Sequence, residues 1–409
     1  MIVADHPVLP ATAFDDVAAL LLRVRQVAER CAASAAARDV DGAFPAAEFR
    51  DLAAAGALAA PLPRRLGGLG LGTEPGGAAA LLRLFELLGW GSLPVGRLFE
   101  GHANALILIA AFGTAEQAAR AAADVRDHGR VFAVWNTEGA DGVRIAPGPG
   151  GRFRLSGAKL FASGAGSVER PLLTAAWPDG GWQMVVLPSE RLDPPPTIDR
   201  SWWAPLGMRA SASHRMAFDG VEVGPEDLVG EPGDYYRQPW FGAGAVRFAA
   251  VQLGGAAAVL DAGRRDLVER RRVDDAFQQA RFGAAAVALE GGRGWLHGFA
   301  RLADRSPFGG VARDAIGGPD AVADDALLAY ANLARTGIER ACLDILEAME
   351  RGVGSRGMLA PHPLERLGRD LTTYLRQPAP DAALADAGRY VLDSPRSAVD
   401  RWDDGEGNR

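Results

Sequence analysis

The chain has 409 residues, 48% hydrophobic and 23% charged, a balance that fits a soluble globular protein of two or three domains. Its net charge of -7 comes from mixed signs without a long basic run, which argues against nucleic acid as a partner. The two cysteines, Cys31 and Cys342, lie far apart and give neither metal-ligand spacing nor a disulfide framework, so a reducing cytoplasm is the expected compartment and no metal is expected.

The opening MIVADHPVLP carries an Asp and a His where a signal peptide needs a basic start and an apolar run, so export is not expected. Residues 1–128 read as helix after helix. Apolar residues recur at helical spacing from Thr12 to Arg38, and Pro45 suits the start of the next helix, which ends near Gly56. The Gly- and Pro-rich PLPRRLGGLGLG reads as a loop, and helical pattern then runs from Ala78 to about Asp127, with a break around Gly89 to Pro94. The most apolar window, ANALILIAAF at 103–112, is too short to span a bilayer and reads as a buried helix, so no membrane is expected. From Val131 the runs VFAVWN, RFRLSG, LLTAAW, WQMVVL and RMAFDGVEV alternate with turns such as PGPGG and DPPP. This predicts a compact antiparallel β domain over 129–228. Helical pattern returns over 229–409, and the tail DDGEGNR reads as frayed.

One residue stands out. Lys159, in LSGAKLFASGAG, is the single lysine among 44 basic side chains, the rest being arginine. Coding bias accounts for the arginines, and a compact ammonium differs from a planar guanidinium fork wherever space is limited. The local reading is a solvated turn residue or a partner for a nearby carboxylate.

No nucleophile elbow, zinc helix or phosphate-binding Gly-Lys-Ser loop is present. Five stretches instead carry a resemblance: LAAAGALAAPLPRRLGGLGLG, NTEGAD, LSGAKLFASGAG, PLGMRASASHRMAFDGVEVGPEDLVG and GAGAVRFAA. In this order and at these spacings the whole chain resembles the acyl-CoA dehydrogenase superfamily of flavoproteins. The resemblance implies an α+β fold with an N-terminal helical domain, a middle antiparallel β-barrel and a C-terminal four-helix bundle. It also implies FAD, with FMN as the alternative, held between β domain and bundle, and a homodimer or homotetramer in which a neighbour touches the flavin. The Gly-x-Lys turn would close a hairpin whose second strand lies along the flavin ring.

Residue by residue, Ser163 matches the hydroxyl that the family places near the flavin's reactive nitrogen, and Thr137 matches a threonine bonded to the pyrimidine end. Local sequence reads the two as a turn serine and a strand-end threonine. Phe161 stands where many members carry Trp, and Arg272, in RVDDAFQQ, stands where an arginine reaches a neighbour's flavin phosphates.

The resemblance implies an oxidoreductase that dehydrogenates an acyl-CoA or related thioester at its α,β bond. That reaction needs a carboxylate to take the α-proton. Of the family's two positions for this Glu, one falls near Leu359 and the other at Val246 beside the helix arginine Arg247, and neither is acidic. Glu100 is the remaining candidate base if its helix turns it inward. The C-terminal HPLERLGRDLTTYLRQPAPDAA and the FASGA strand are closer to a branch that includes two-component monooxygenases, which take reduced flavin from a reductase and use oxygen. There Ser163 would act as donor, with His102 or Arg376 as a second polar group. Either reading allows an electron-transfer or flavin-reductase partner, and a non-catalytic subunit is the third alternative.

Overall fold

The computed structural model describes residues 17–306 and 323–402, so the opening MIVADHPVLP and the tail DDGEGNR lie outside the described residues. The N-terminal region consists of α1 (Val17–Arg38), α2 (Ala46–Ala54), α3 (Ala78–Gly91), α4 (Leu93–Phe112) and α5 (Ala115–His128). Leu20, Val24, Val27 and Cys31 recur on one face of α1 and are buried there, as the helical period requires. The break between α3 and α4 is a single extended residue, Ser92, with Pro94 tolerated in the first turn of α4. Thr114 and Gln117 form a reciprocal capping box that starts α5.

The window 103–112 therefore belongs to a longer helix than its own ten residues suggest. By length and composition alone, Leu93–Phe112 and Trp240–Glu269 could each cross a membrane, but 78% of each is buried inside the protein. Both are helices of the protein core.

Ten strands follow: β1 (Phe132–Trp135), β2 (Arg144–Pro147), β3 (Phe153–Ser156), β4 (Ala158–Ala162), β5 (Arg170–Ala176), β6 (Trp182–Val186), β7 (Thr197–Asp199), β8 (His214–Ala217), β9 (Glu222–Val223) and β10 (Leu228–Val229). They make one sheet in the order β10-β6-β5-β2-β3-β9, with β1 on β5, and a second in the order β4-β8-β7. Two expectations are corrected here. The β region is not wholly antiparallel, because β1 runs parallel to β5 from Phe132↔Arg170 to Trp135↔Leu173, and β2 meets β5 in parallel. Nor does the Gly-x-Lys turn close a hairpin, since β3 pairs with β2 and β9 whereas β4 pairs with β8. Gly157, at φ +97°, instead carries the chain from one sheet into the other. A side chain there would sit 2.5 Å from the carbonyl oxygen of Gly142, which is why glycine is required.

The C-terminal region contains α6 (Trp240–Ala243), α7 (Ala245–Glu269), α8 (Ala276–Ala303), α9 (Asp324–Val353), α10 (Pro363–Tyr374) and α11 (Pro380–Asp393). The helix α7 is the hub, packing on α3, α4, α8, α9 and α10. It approaches α3 so closely that a Cβ on Gly254 would lie 2.0 Å from the Glu86 carbonyl, and one on Gly89 2.0 Å from that of Val251. Glycines in two helix interiors lower helix propensity but let the backbones touch, which locks the bundle to the N-terminal helices. Cys31 and Cys342 are free and buried.

Candidate functional site

The strand β1 connects two differently built ends. At its start, the Phe132 amide donates to His102 Nδ1 at 3.0 Å, and the other ring nitrogen, Nε2, lies 2.9 Å from the Leu58 carbonyl. Nδ1 is therefore unprotonated and Nε2–H is the donor. Burial pushes this imidazole's pKa down to about 4, so it is neutral at physiological pH. His102, expected as a catalytic polar group, is corrected to a structural one: with both nitrogens used and 0% exposure it has nothing left to offer a substrate.

At the other end of β1, the Trp135 indole N–H donates to the Ser163 carbonyl at 3.0 Å. The Ser163 hydroxyl lies 2.9 Å from that of Ser213, which lies 2.7 Å from that of Ser211, and all three residues are buried. The register of β4 against β8 shifts between Lys159 and Ala162, a bulge in which Phe161 takes φ +52° and is left 50% exposed. Such a bulge re-aims a side chain. The Phe161 ring meets Trp202 edge to face at 4.8 Å. Thr137 is exposed beside it, and its carbonyl accepts from the Leu160 amide at 2.8 Å. Thr137, Phe161 and Ser163 thus share one edge, where hydroxyls stand beside an exposed aromatic ring. That donor set suits a planar cofactor carrying ring acceptors.

Lys159 is not a solvated turn residue. It is 0% exposed, and its ammonium donates to the Asn136 carbonyl at 3.0 Å, the Thr174 hydroxyl at 3.0 Å and the Glu138 carboxylate at 2.5 Å. Three acceptors match the three donors of an ammonium, which is the geometric reason for lysine here. Burial lowers its pKa below that of an ordinary lysine, with Glu138 acting in the opposite direction. The socket continues through Asn136, whose Oδ1 accepts from Thr174 at 2.7 Å and from the Tyr236 hydroxyl at 3.1 Å.

A second polar group lies where α4 meets α7. Arg97, Glu100 and Asn104 share one face of α4 at spacings of three and four. Glu100 accepts from Arg97 Nη1 and Asn104 Nδ2, and Arg247 Nε on α7 donates to Asn104 Oδ1. Helix α4 thus does turn Glu100 inward, but into an ion pair with Arg97 and a hydrogen bond from Asn104, so both carboxylate oxygens are already engaged. Burial pulls the Arg247 guanidinium down to about 10, against the pull of Glu100. Tyr374 on α10 is buried, and its hydroxyl has no hydrogen-bond partner. Burial pushes that phenol up, with Glu100 adding to the effect. Tyr235, also buried, stacks edge to face on Tyr236 at 5.0 Å and so leads from this junction towards Asn136.

Arg272 does not join either group. Its Nη2 pairs with Asp275 Oδ2 at 2.6 Å, beyond the far end of α7 and roughly 33 Å of helix from Arg247. Arg376 is exposed. At the two positions where a dehydrogenase would carry its base, Val246 is 0% exposed inside α7 and Leu359 is 65% exposed. Sequence reasoning missed Trp135, Ser211, Ser213, Asn104, Tyr235 and Tyr374. Ser211 and Ser213 had one signal, the alternation ASASH leading into a strand. Among the described residues, no group of His, Cys, Asp and Glu could hold a metal ion.

Residues 15–126 match the family described as acyl-CoA dehydrogenase, N-terminal domain. The chain is 26% identical over 396 residues to dibenzothiophene monooxygenase of Rhodococcus erythropolis, covering 90% of this chain and 92% of that protein. Among solved structures, TdsC from Paenibacillus sp. A11-2, in complex with FMN and indole, superposes with a TM-score of 0.79 at 20% identity over 91% of this chain and 96% of its own. Methanesulfinate monooxygenase MsuC from Pseudomonas fluorescens gives 0.78 at 23% identity over 94% and 99%. These relatives overturn the expected α,β-dehydrogenation of an acyl-CoA, since the proteins matched over nearly the whole chain are monooxygenases. Residues 15–126 thus carry an N-terminal domain of the acyl-CoA dehydrogenase type, and the chain as a whole shares the fold of these solved structures.

Proposed function

We propose that the chain is the oxygenase component of a two-component flavin-dependent monooxygenase, working with a separate flavin reductase and acting on a small molecule. The observation that carries this reading is the pairing of a retained hydroxyl edge with the loss of the base: Ser163 and Thr137 stand ready as donors, while Val246 and Leu359 occupy the positions a proton-abstracting carboxylate would need. The names of the relatives that span the chain point the same way.

The residues present fit a flavin. Phe161 would cover one part of the ring, Ser163 would donate near its reactive edge and Thr137 at its pyrimidine end, as a preorganised dipole set. Reduced flavin, when bound, supplies the electrons with which oxygen is activated. The work of the protein is to hold Ser163 by Trp135, to anchor the β1 terminus through Asn136 and Lys159, and to keep the Arg97–Glu100–Asn104–Arg247 network rigid beneath it. FMN suits the chain as it stands, because Arg272 is paired with Asp275 and lies away from the Ser163 edge.

The test supplies purified protein with FMN, a flavin reductase, NADH and ¹⁸O₂, and offers sulfur heteroaromatics and alkanesulfinates. Product heavier by one ¹⁸O atom is the expected outcome. Absence of any binding of reduced FMN, followed by fluorescence under anaerobic conditions, would end the proposal.

A further inference from the structure

The geometry points to Ser213 and Ser211 as a buried hydroxyl relay that turns the Ser163 proton outwards, so that the ligand atom facing Ser163 must be a hydrogen-bond acceptor. This rests on the reading that a flavin occupies the Ser163 edge.

Each hydroxyl has one proton, and two hydrogen bonds join the three oxygens, at 2.9 Å between Ser163 and Ser213 and 2.7 Å between Ser213 and Ser211. Whatever the arrangement, one proton remains outside the two bonds. If Ser163 donates inwards to Ser213 and Ser213 to Ser211, the remaining proton sits on Ser211, which is 1% exposed and has no acceptor for it among the described residues. If both neighbours donate to Ser213, its own proton is stranded instead, again in the interior. A buried donor without an acceptor is unfavourable, because it has given up its hydrogen bond to water and gained none.

The third arrangement avoids this. Ser211 donates to Ser213, Ser213 donates to Ser163, and the remaining proton lies on the hydroxyl nearest the open edge. There its fallback within the protein is the Phe161 carbonyl at 3.5 Å, too long for a good bond. A chain running in one direction also polarises its last member, making Ser163 a stronger donor than an isolated serine. An acceptor lone pair at that place, such as that of the unprotonated ring nitrogen of oxidised FMN, completes the chain. Ser213 and Ser211 are thus positioning residues that act through Ser163.

The experiment compares Ser213→Ala, Ser213→Thr and Ser211→Ala with the parent, measuring the dissociation constant of oxidised FMN by fluorescence, its visible absorption band, and the melting temperature without flavin. Ser213→Ala is expected to weaken oxidised FMN by about fivefold and to shift the band, Ser213→Thr to retain both, and Ser211→Ala to weaken binding by about twofold in the same direction. Should Ser213→Ala fail to fold, the other two variants still decide. Unchanged affinity and spectrum in Ser213→Ala, or loss in Ser213→Thr equal to that in Ser213→Ala, would overturn the relay while leaving the oxygenase reading intact. A parent that binds no flavin would instead remove the reading on which the relay stands, and the relay with it.

Discussion

The two ends of β1 are both tied by side-chain hydrogen bonds, yet they differ in what remains after hydrogen bonding. At Phe132, the ring of His102 takes one amide proton and gives one proton to a carbonyl, so every polar atom is used. At Trp135, the indole holds the Ser163 carbonyl, while the three linked hydroxyls hold one proton more than their mutual bonds consume. Both residues are buried, and both were candidates for catalysis from sequence. The hydrogen-bond ledger separates them: the closed end is structural, and the open end is where a ligand has something to gain.

That comparison can be broken from the closed end first. Replacing His102 by Leu should strand the Phe132 amide and the Leu58 carbonyl together, costing about 3 kcal/mol or more in urea unfolding, with FMN affinity of the folded fraction little changed. A loss below about 1 kcal/mol would mean that the ledger misjudges this end. The same imidazole should make stability depend on pH. Its folded pKa of about 4 lies below the usual 6.5, so between these values the unfolded chain binds a proton that the native one refuses. Stability from this group is complete above about pH 6.5 and falls as pH drops towards 4. The stability lost between pH 7 and pH 4.5 should therefore be about 2–3 kcal/mol smaller in His102→Gln than in the parent. Equal losses would show that His102 takes up its proton without penalty.

The open end should answer differently. Ser163→Ala removes the donor that faces the ligand and leaves one proton of the buried Ser211–Ser213 pair without an acceptor, so unfolding free energy should fall by about 1–2 kcal/mol, less than at His102, while oxygenation falls by about tenfold or more in steady-state turnover. A variant that is destabilised but fully active would reverse the assignment of the two ends.

Much of the fold was legible because periodicity survives translation into burial. Leu20, Val24 and Val27 on α1 and the short apolar run FAVW of β1 point to their elements without any partner in view. Pairing was not legible. Nothing in RFRLSG and AKLFA says that Gly157 separates two sheets, since that depends on the closeness of the Gly142 carbonyl in space. In the site, Ser163, Thr137 and Phe161 were named from the resemblance alone; Lys159 did pair a carboxylate, Glu138, as one of its readings had it, but its burial and the structural part of His102 were not legible, because they depend on Leu58, Phe132, Asn136 and Thr174, all distant in sequence.

What the sequence determined by itself is therefore local: helical, β and helical order, the absence of a carboxylate at Val246 and Leu359, and the presence of a single lysine. Only the tertiary structure decided what each polar side chain is for. Propensity and hydrophobic pattern are properties of neighbours along the chain, whereas the fate of a buried donor depends on whether folding brings it an acceptor. Lys159 found three, His102 found both of its partners, and the serines found each other with one proton to spare.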